Sequence, residues 1–357
     1  MTSPRSYKPI IATICEGESP VGRALPIVPS AAEDLDLFPF QDPFGLRRAI
    51  VPVLLNDADG VMKGMGTAFH IDGWGTFLTA DHVVESVRQR STRTPPHKDE
   101  KRFTYGATDV YPVLLLGIGL VLGGPIEVPP EALALVASVR SPVRERADPL
   151  ISLTGRTELE AASDVAVMQL AASIPDNMMG TLRVRFSGWR PKLADTVVAL
   201  GFPNLECQPV DEQAIRYLLS DGMSAAYGQI IAAHPNGLRG NPTPVIEVEA
   251  NWPSGMSGGP VINEHGEVIG IVSRSLSGRG SATCLELMPW LRRWIPTLDV
   301  SNPGWRVGWA VMKNGTSELV GFFKERDDAL RHRDHLGTDY TVVFGSSRIG
   351  STDFIPK

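Results

Sequence analysis

From Arg48 onward the chain breaks into short apolar runs separated by Gly, Asp and Pro. AIVPVLL, GMGTAFHI and GTFLTADHVV come first, and strand-like runs return at 111–122 and 164–170. LRVRFS, DTVVALGF, AAYGQIIAA, PVIEVEA, GPVIN and EVIGIVSRS follow, with no helical pattern between them. Many short strands bounded by turn residues predict an antiparallel barrel or sandwich. Residues 129–141 suit either a helix or a strand. Leu285, Met288, Leu291 and Trp294 recur at helical spacing, which predicts a closing helix over 284–298, interrupted near its start by Pro289.

The two ends differ from this middle. Residues 1–45 are rich in Pro, Ser and Asp and hold no sustained period, so they read as an N-terminal extension. Residues 90–108 read as a polar loop, and 299–304 as a linker. Beyond the linker, two strands flank an Asn314-Gly315 turn, a charged helix covers Lys324–Leu336, and a third strand covers Tyr340–Phe344. This ββαβ unit, 305–357, is too small for a substantial core of its own and is expected to pack on the main domain or on a partner. The chain is thus expected to divide into 1–45, a main domain at 46–298, and 305–357.

Composition narrows the class. Gly and Pro supply 35 and 29 of the 357 residues, which suits a turn-rich all-β protein and not a helical bundle. The formal charge of −6 gives no support for a nucleic-acid partner. Cys15, Cys207 and Cys284 are too few and too scattered for a disulfide framework or a zinc ribbon. The first 20 residues lack the apolar core of a secretory signal. The apolar stretch 113–128 contains four glycines, a proline and Glu127, and is shorter than the roughly 20 residues of a spanning helix. These features together predict a cytoplasmic protein without a membrane span.

Three motifs carry chemistry. In Gly255-Met256-Ser257-Gly258-Gly259-Pro260, glycines on both sides of a serine permit a sharp turn. The N–H groups of Gly255 and Ser257 can then converge on one point, as an oxyanion requires. Six residues alone also describe a Gly-rich hairpin. In Leu78-Thr79-Ala80-Asp81-His82-Val83-Val84, a histidine follows a strand, and a serine nucleophile needs such a base. A lone histidine is more often structural. In Ser163-Asp164-Val165-Ala166-Val167, a carboxylate heads an apolar strand, where it either opens a turn or orients a histidine.

In the order His82, Asp164, Ser257, the motifs GTAFHI, LTADHVV, SDVAVMQL, GMSGGPVIN and GEVIGIVSRS resemble the trypsin-like (chymotrypsin-fold) serine proteases over residues 46–298. Ala199-Leu200-Gly201-Phe202-Pro203 is similar to a turn of the bacterial, disulfide-free branch. The resemblance implies two perpendicular six-stranded antiparallel β-barrels with the ββαβ unit appended. His82 and Asp164 would lie on the first barrel and Ser257 on the second. It implies a serine endopeptidase without cofactor or metal, acting on a protein or peptide substrate through an acyl-enzyme. Gly255 and Ser257 would form the oxyanion hole, Ser273 would support Asp164, and residues 273–275 would pair with the substrate backbone.

Met256 departs from the family pattern, in which digestive members carry an Asp that binds a new N-terminus. Activation by that ion pair is excluded, and the hole is expected to form by another device or only with a partner. Residues 1–45 and 301–357 are the candidate docking segments for a regulatory protein. Asn251 is expected near the floor of the specificity pocket, with walls from Arg274, Ser275 and 278–283; an uncharged or acidic side chain fits it best. The competing reading is a catalytically silent binding or scaffold module. Gly117, Gly119 and Gly123 form no dinucleotide loop because prolines and not a helix follow, and His332 and His335 read as a solvated basic face.

Overall fold

The computed structural model describes residues 10–16, 19–24, 37–39, 46–56, 62–90, 102–104, 111–115, 126–128, 132–145, 159–172, 180–186, 190–203, 205, 207–209, 217–219, 222–238, 243–276, 278–299, 301 and 304–357. The first barrel is built from β1 (Ile50–Asn56), β2 (Met62–His70), β3 (Thr76–Thr79), β4 (Tyr111–Leu115), β5 (Leu133–Glu145) and β6 (Ala166–Leu170). Its strands run in the order β5-β6-β3-β2-β1-β4, and β4 pairs back onto β5, so the sheet closes. Helix α1 (Asp81–Arg90) follows β3 directly.

The second barrel uses β7 (Thr196–Gly201), β8 (Ser224–His234), β9 (Val245–Glu249), β10 (Pro260–Asn263), β11 (Val268–Leu276) and β12 (Arg279–Cys284). The order is β7-β10-β11-β12-β9-β8, closed by pairing of β7 with β8. This is the two-barrel, chymotrypsin-like architecture. All neighbouring pairs are antiparallel, as short loops between consecutive strands require.

Strand β7 shows why its sequence reads as a continuous apolar run. Val197 and Ala199 belong to the core inside the second barrel, whereas Val198 and Leu200 join the larger core of the first barrel and the seam. A strand buried on both faces loses the usual alternation. The ambiguous segment 129–141 is strand: β5 pairs in turn with β4, β6, Arg102–Thr104 and Leu159–Ala161.

The expected helix at 284–298 is not formed. Two 3₁₀ turns, Leu285–Leu287 and Leu291–Trp294, stand in its place. Each ends on a residue that precedes a proline, Met288 before Pro289 and Ile295 before Pro296, and their φ/ψ values of −124/58 and −126/65 are not helical. A following proline disfavours the helical region for steric reasons. The periodic side chains are still inward: Leu285, Met288 and Leu291 are buried.

Parts of the N-terminal segment are strands. Ile11–Glu16 pairs with Ser19–Ala24 and with Thr181–Leu182, and Leu37–Pro39 adds to β8. Residues 116–125, which hold the Gly117–Gly123 motif, lie outside the described residues. No helix among the described residues is long and apolar enough to cross a membrane.

The last segment has one strand more than expected: β13 (Trp305–Lys313), β14 (Leu319–Phe323), α2 (Arg326–Leu336), β15 (Tyr340–Arg348) and β16 (Phe354–Pro356), in the sheet order β14-β13-β15-β16. One face carries α2, with His332 against Phe323 at 5.1 Å. The other rests on the β2–β3 turn of the first barrel. Trp74 stacks on Phe322 at 5.5 Å, Arg306 lies 4.5 Å over the Trp74 ring, and Trp74 Nε1 donates to Val307 O at 2.9 Å. Buried carboxylates brace the β2–β3 turn and, across the junction, the terminal unit. Asp72 accepts from Thr76 Oγ1 at 2.6 Å and Thr297 Oγ1 at 2.5 Å, and Asp299 accepts from Ser346 Oγ at 2.6 Å and Lys357 Nζ at 2.9 Å.

The indole of Trp74 is the central contact of that seam, so its loss should loosen the terminal unit selectively. Trp74→Ala is expected to raise amide hydrogen exchange in 305–348 about tenfold or more, with rates in β7–β12 unchanged. Uniform acceleration across both barrels would contradict this.

Candidate active site

His82 is placed by the helix that starts where β3 ends, and Asp164 by the turn that leads into β6. β3 and β6 are paired, with Thr79 opposite Ala166, so strand register brings the two residues together. His82 donates its backbone N–H to Asp164 Oδ1 at 3.1 Å, and its Nδ1 lies 2.9 Å from Oδ1 and 3.1 Å from Oδ2. With Nδ1–H committed to the carboxylate, Nε2 is left as the accepting nitrogen.

Asp164 is gripped from the second barrel. Its amide donates to Thr243 Oγ1 at 3.1 Å, its carbonyl accepts from Thr283 Oγ1 at 3.1 Å, and the Ser273 hydroxyl donates to Oδ2. Burial by itself pushes the carboxyl pKa up, but the His82 hydrogen bond and charge and the Ser273 hydroxyl outweigh it, and the net shift is downward. For His82, burial disfavours the imidazolium, yet the hydrogen bond and charge of Asp164 prevail over it and over the opposing Arg274 charge. The His82 pKa is therefore raised above its ordinary value.

Ser257 sits in the loop between β9 and β10. Residues 253–256 form a reverse turn closed by Met256 N–H to Pro253 O at 3.2 Å, and Gly255 takes φ +92°. A positive φ at the third position of a turn is a glycine conformation. Past the serine, Gly258 (φ +85°) donates to Val272 O at 2.8 Å, and Thr67 N–H donates to Ser257 O at 2.8 Å. A Cβ on Gly258 would collide with Thr67 O and Thr79 Oγ1, and one on Gly259 with Leu200 O, so both positions require glycine. Among the described residues the N–H groups of Gly255 and Ser257 have no acceptor.

The structure does not join all three motif residues. The Ser257 hydroxyl donates to Ser273 O at 3.3 Å, and no hydrogen bond links it to His82. Asn251 is exposed, whereas its neighbour Trp252 is buried. Arg274 and Arg279 are exposed and line a groove of about 410 Å³ with Ser273, Ser275 and Glu247; neither guanidinium is paired among the described residues. Ser275 Oγ accepts from Trp252 N–H at 3.1 Å. No cluster of ligating side chains among the described residues suits a metal ion.

Thr67, Thr243 and Thr283 were not anticipated from the sequence. Thr67 Oγ1 donates to Gly255 O at 2.8 Å and accepts from Phe202 N–H at 3.0 Å. The GTAF motif marked its place, but nothing local marked its partner 188 residues away. His70, also buried, is structural: Nδ1 faces Gly180 O at 2.8 Å, Nε2 accepts from Gly75 N–H at 3.1 Å, and burial lowers its pKa.

Met256 is fully buried among the apolar side chains inside the second barrel, with Val197, Ala199, Val261 and Val272 in the same cluster. Such burial contributes about 1.5–3 kcal/mol. The turn is thus held by apolar packing at the position where an ion pair was excluded. Met256→Asp should lower the unfolding free energy by about 3 kcal/mol or more, because it places an unpaired carboxylate in this cluster. Met256→Leu should cost less than about 1.5 kcal/mol. Urea unfolding measures both, and equal stabilities for the two variants would contradict the anchor.

The family model of the trypsin-like peptidase domain matches residues 66–271, more than half of the chain. Among solved structures, the active form of the Rv3671c protease from M. tuberculosis is 15% identical, covering 78% of this chain and 93% of that chain with a TM-score of 0.40. The inactive form is 17% identical, covering 70% and 89%, with a TM-score of 0.38. No curated protein matches.

Proposed function

The chain belongs to the trypsin-like peptidase family and is a serine peptidase, and from that premise we propose that Ser257, His82 and Asp164 are its catalytic triad. The observation that carries the reading is the His82–Asp164 pair, linked through the hydroxyl and carbonyl of Ser273 to a serine whose own N–H and that of Gly255 are without acceptors among the described residues. In the proposed endopeptidase mechanism a substrate lies along Ser273–Ser275 as an added strand. Its N–H takes Ser273 O as acceptor and releases the Ser257 hydroxyl. The hydroxyl turns to His82 Nε2, which accepts its proton as Oγ attacks the scissile carbonyl. Asp164 stabilises the imidazolium, and the free N–H groups hold the oxyanion. His82 then protonates the leaving amine, and water releases the acyl group by the reverse exchange.

Arg274 and Arg279 extend the binding surface and favour acidic side chains further along the substrate. A resting hydroxyl turned away from its base also suits an enzyme under control, so regulation by a protein partner is part of the proposal. Residues 1–45 and 301–357 are the docking candidates, and in the second Phe344 and Ile355 are exposed at 38% and 45%. Cytoplasmic placement belongs to the same reading.

Ser257→Ala should retain the fold and reduce kcat by about a millionfold on peptide substrates. Cleavage by the variant at the wild-type rate rejects the triad, and absence of cleavage by the wild type favours the silent-module reading. The base works in its neutral form, and its pKa is raised. Accordingly, kcat/KM should fall as pH drops through a midpoint above the ordinary histidine value. Asp164→Asn should move that midpoint down and slow the reaction about ten-thousandfold. A midpoint that stays fixed in the variant contradicts the His82–Asp164 coupling.

A further inference from the structure

A peptide attacked at Ser257 while paired with Ser273–Ser275 must project the side chain of its P1 residue, the one supplying the attacked carbonyl, between two backbone walls. One wall is 251–255, which ends in the Gly255 turn. The other is the β11–β12 hairpin, 273–276 with 279–281. Trp252 closes the space between them. It is 4% exposed and belongs to the core of the second barrel. A Cβ added to Gly280 would lie 2.5 Å from Trp252 Cε3, 2.6 Å from Cδ2 and 2.8 Å from Cζ3. The benzo edge of the indole therefore lies against the bare backbone of β12. The Trp252 amide donates to Ser275 Oγ at 3.1 Å, which ties the two walls together. The indole Nε1–H has no acceptor among the described residues, so shape rather than a hydrogen bond holds the ring in place.

We infer that Trp252 is the specificity-determining residue of this peptidase and restricts P1 to small side chains such as Gly, Ala or Ser. The inference rests on the reading of Ser257 as nucleophile. The indole fills the space against Gly280, between the walls, and forcing a larger group into that packed site displaces neighbours at a steep cost. Discrimination grows by about tenfold or more for each methylene that cannot be accommodated. Gly280 belongs to the same device, since any side chain there would expel the ring.

Two kinds of reagent separate the inference from its premise. A simple fluorophosphonate reports whether Ser257 is an activated nucleophile. Peptidyl phosphonates differing only in Ala or Phe at P1 report the pocket, read as the ratio of their inactivation rates with the full-length protein. Wild type should react with the Ala reagent at least about tenfold faster than with the Phe reagent. Trp252→Ala should bring the ratio to parity or reverse it, while Trp252→Phe, which keeps most of the bulk and lacks the N–H, should keep the Ala preference. Wild type that reacts with the fluorophosphonate but takes both peptidyl reagents equally overturns the inference and leaves the catalytic reading intact. A Trp252→Ala protein that still labels and keeps the wild-type ratio also overturns it. If that variant does not fold, the wild-type ratio alone decides. Failure of wild type to label with any reagent overturns the catalytic reading and the inference with it.

Discussion

The loop that carries Ser257 is wedged between two closed barrels, and its backbone is the seam. Thr67 of the first barrel donates its amide to Ser257 O and its hydroxyl to Gly255 O, while Gly258 donates to Val272 O in the second. Gly258 and Gly259 have no room for a side chain on either barrel. Closing each sheet on itself removes free edges, so the barrels meet through side chains and this loop and not by extending one sheet. The position of the serine relative to its histidine is therefore a property of the seam.

The same logic governs the carboxylate. A buried Asp is costly unless every oxygen is paired. Asp164 meets that condition with groups from both sides: His82 from the first barrel, and Ser273, Thr283 and Thr243 from the second barrel and its connections. The His82–Asp164 pair, proposed as base and orienting carboxylate, is also a clamp between the barrels. Met256 completes the arrangement with an apolar side chain buried in the second core. An apolar anchor needs no new N-terminus, so the turn that presents the Gly255 and Ser257 N–H groups stands formed in the intact chain. What remains unset is the hydroxyl itself, bonded to Ser273 O.

Much of this was legible in the sequence because it is local. Gly and Pro punctuation marked the strands, and GMSGGP, TADHVV and SDVAV marked the three elements of the site. The unread part depends on long-range or competing effects. The periodic pattern of 284–298 signalled burial correctly but not helix, since Pro289 and Pro296 decide the backbone. Residues 129–141 suited helix or strand because the strand that runs through them has partners along both edges and carries buried valines at irregular spacing. The hydroxyls of Thr67, Thr243 and Thr283 act on partners far away in sequence. The family resemblance put Asn251 at the pocket floor, whereas the neighbouring Trp252 is the buried residue. The extra strand Phe354–Pro356 has only three residues and no period to betray it.

The central claim is that the loop at 253–259 is already organised for catalysis in the isolated chain, and that only the Ser257 side chain must move. A crystal structure of the purified protein with a peptidyl boronate tests it directly. The account predicts a bond between boron and Ser257 Oγ, one boronate oxygen about 3 Å from both the Gly255 and Ser257 nitrogens, and an unchanged 253–256 turn with Met256 still buried. A rebuilt turn with Met256 displaced, or boron bound anywhere but Ser257, would contradict it.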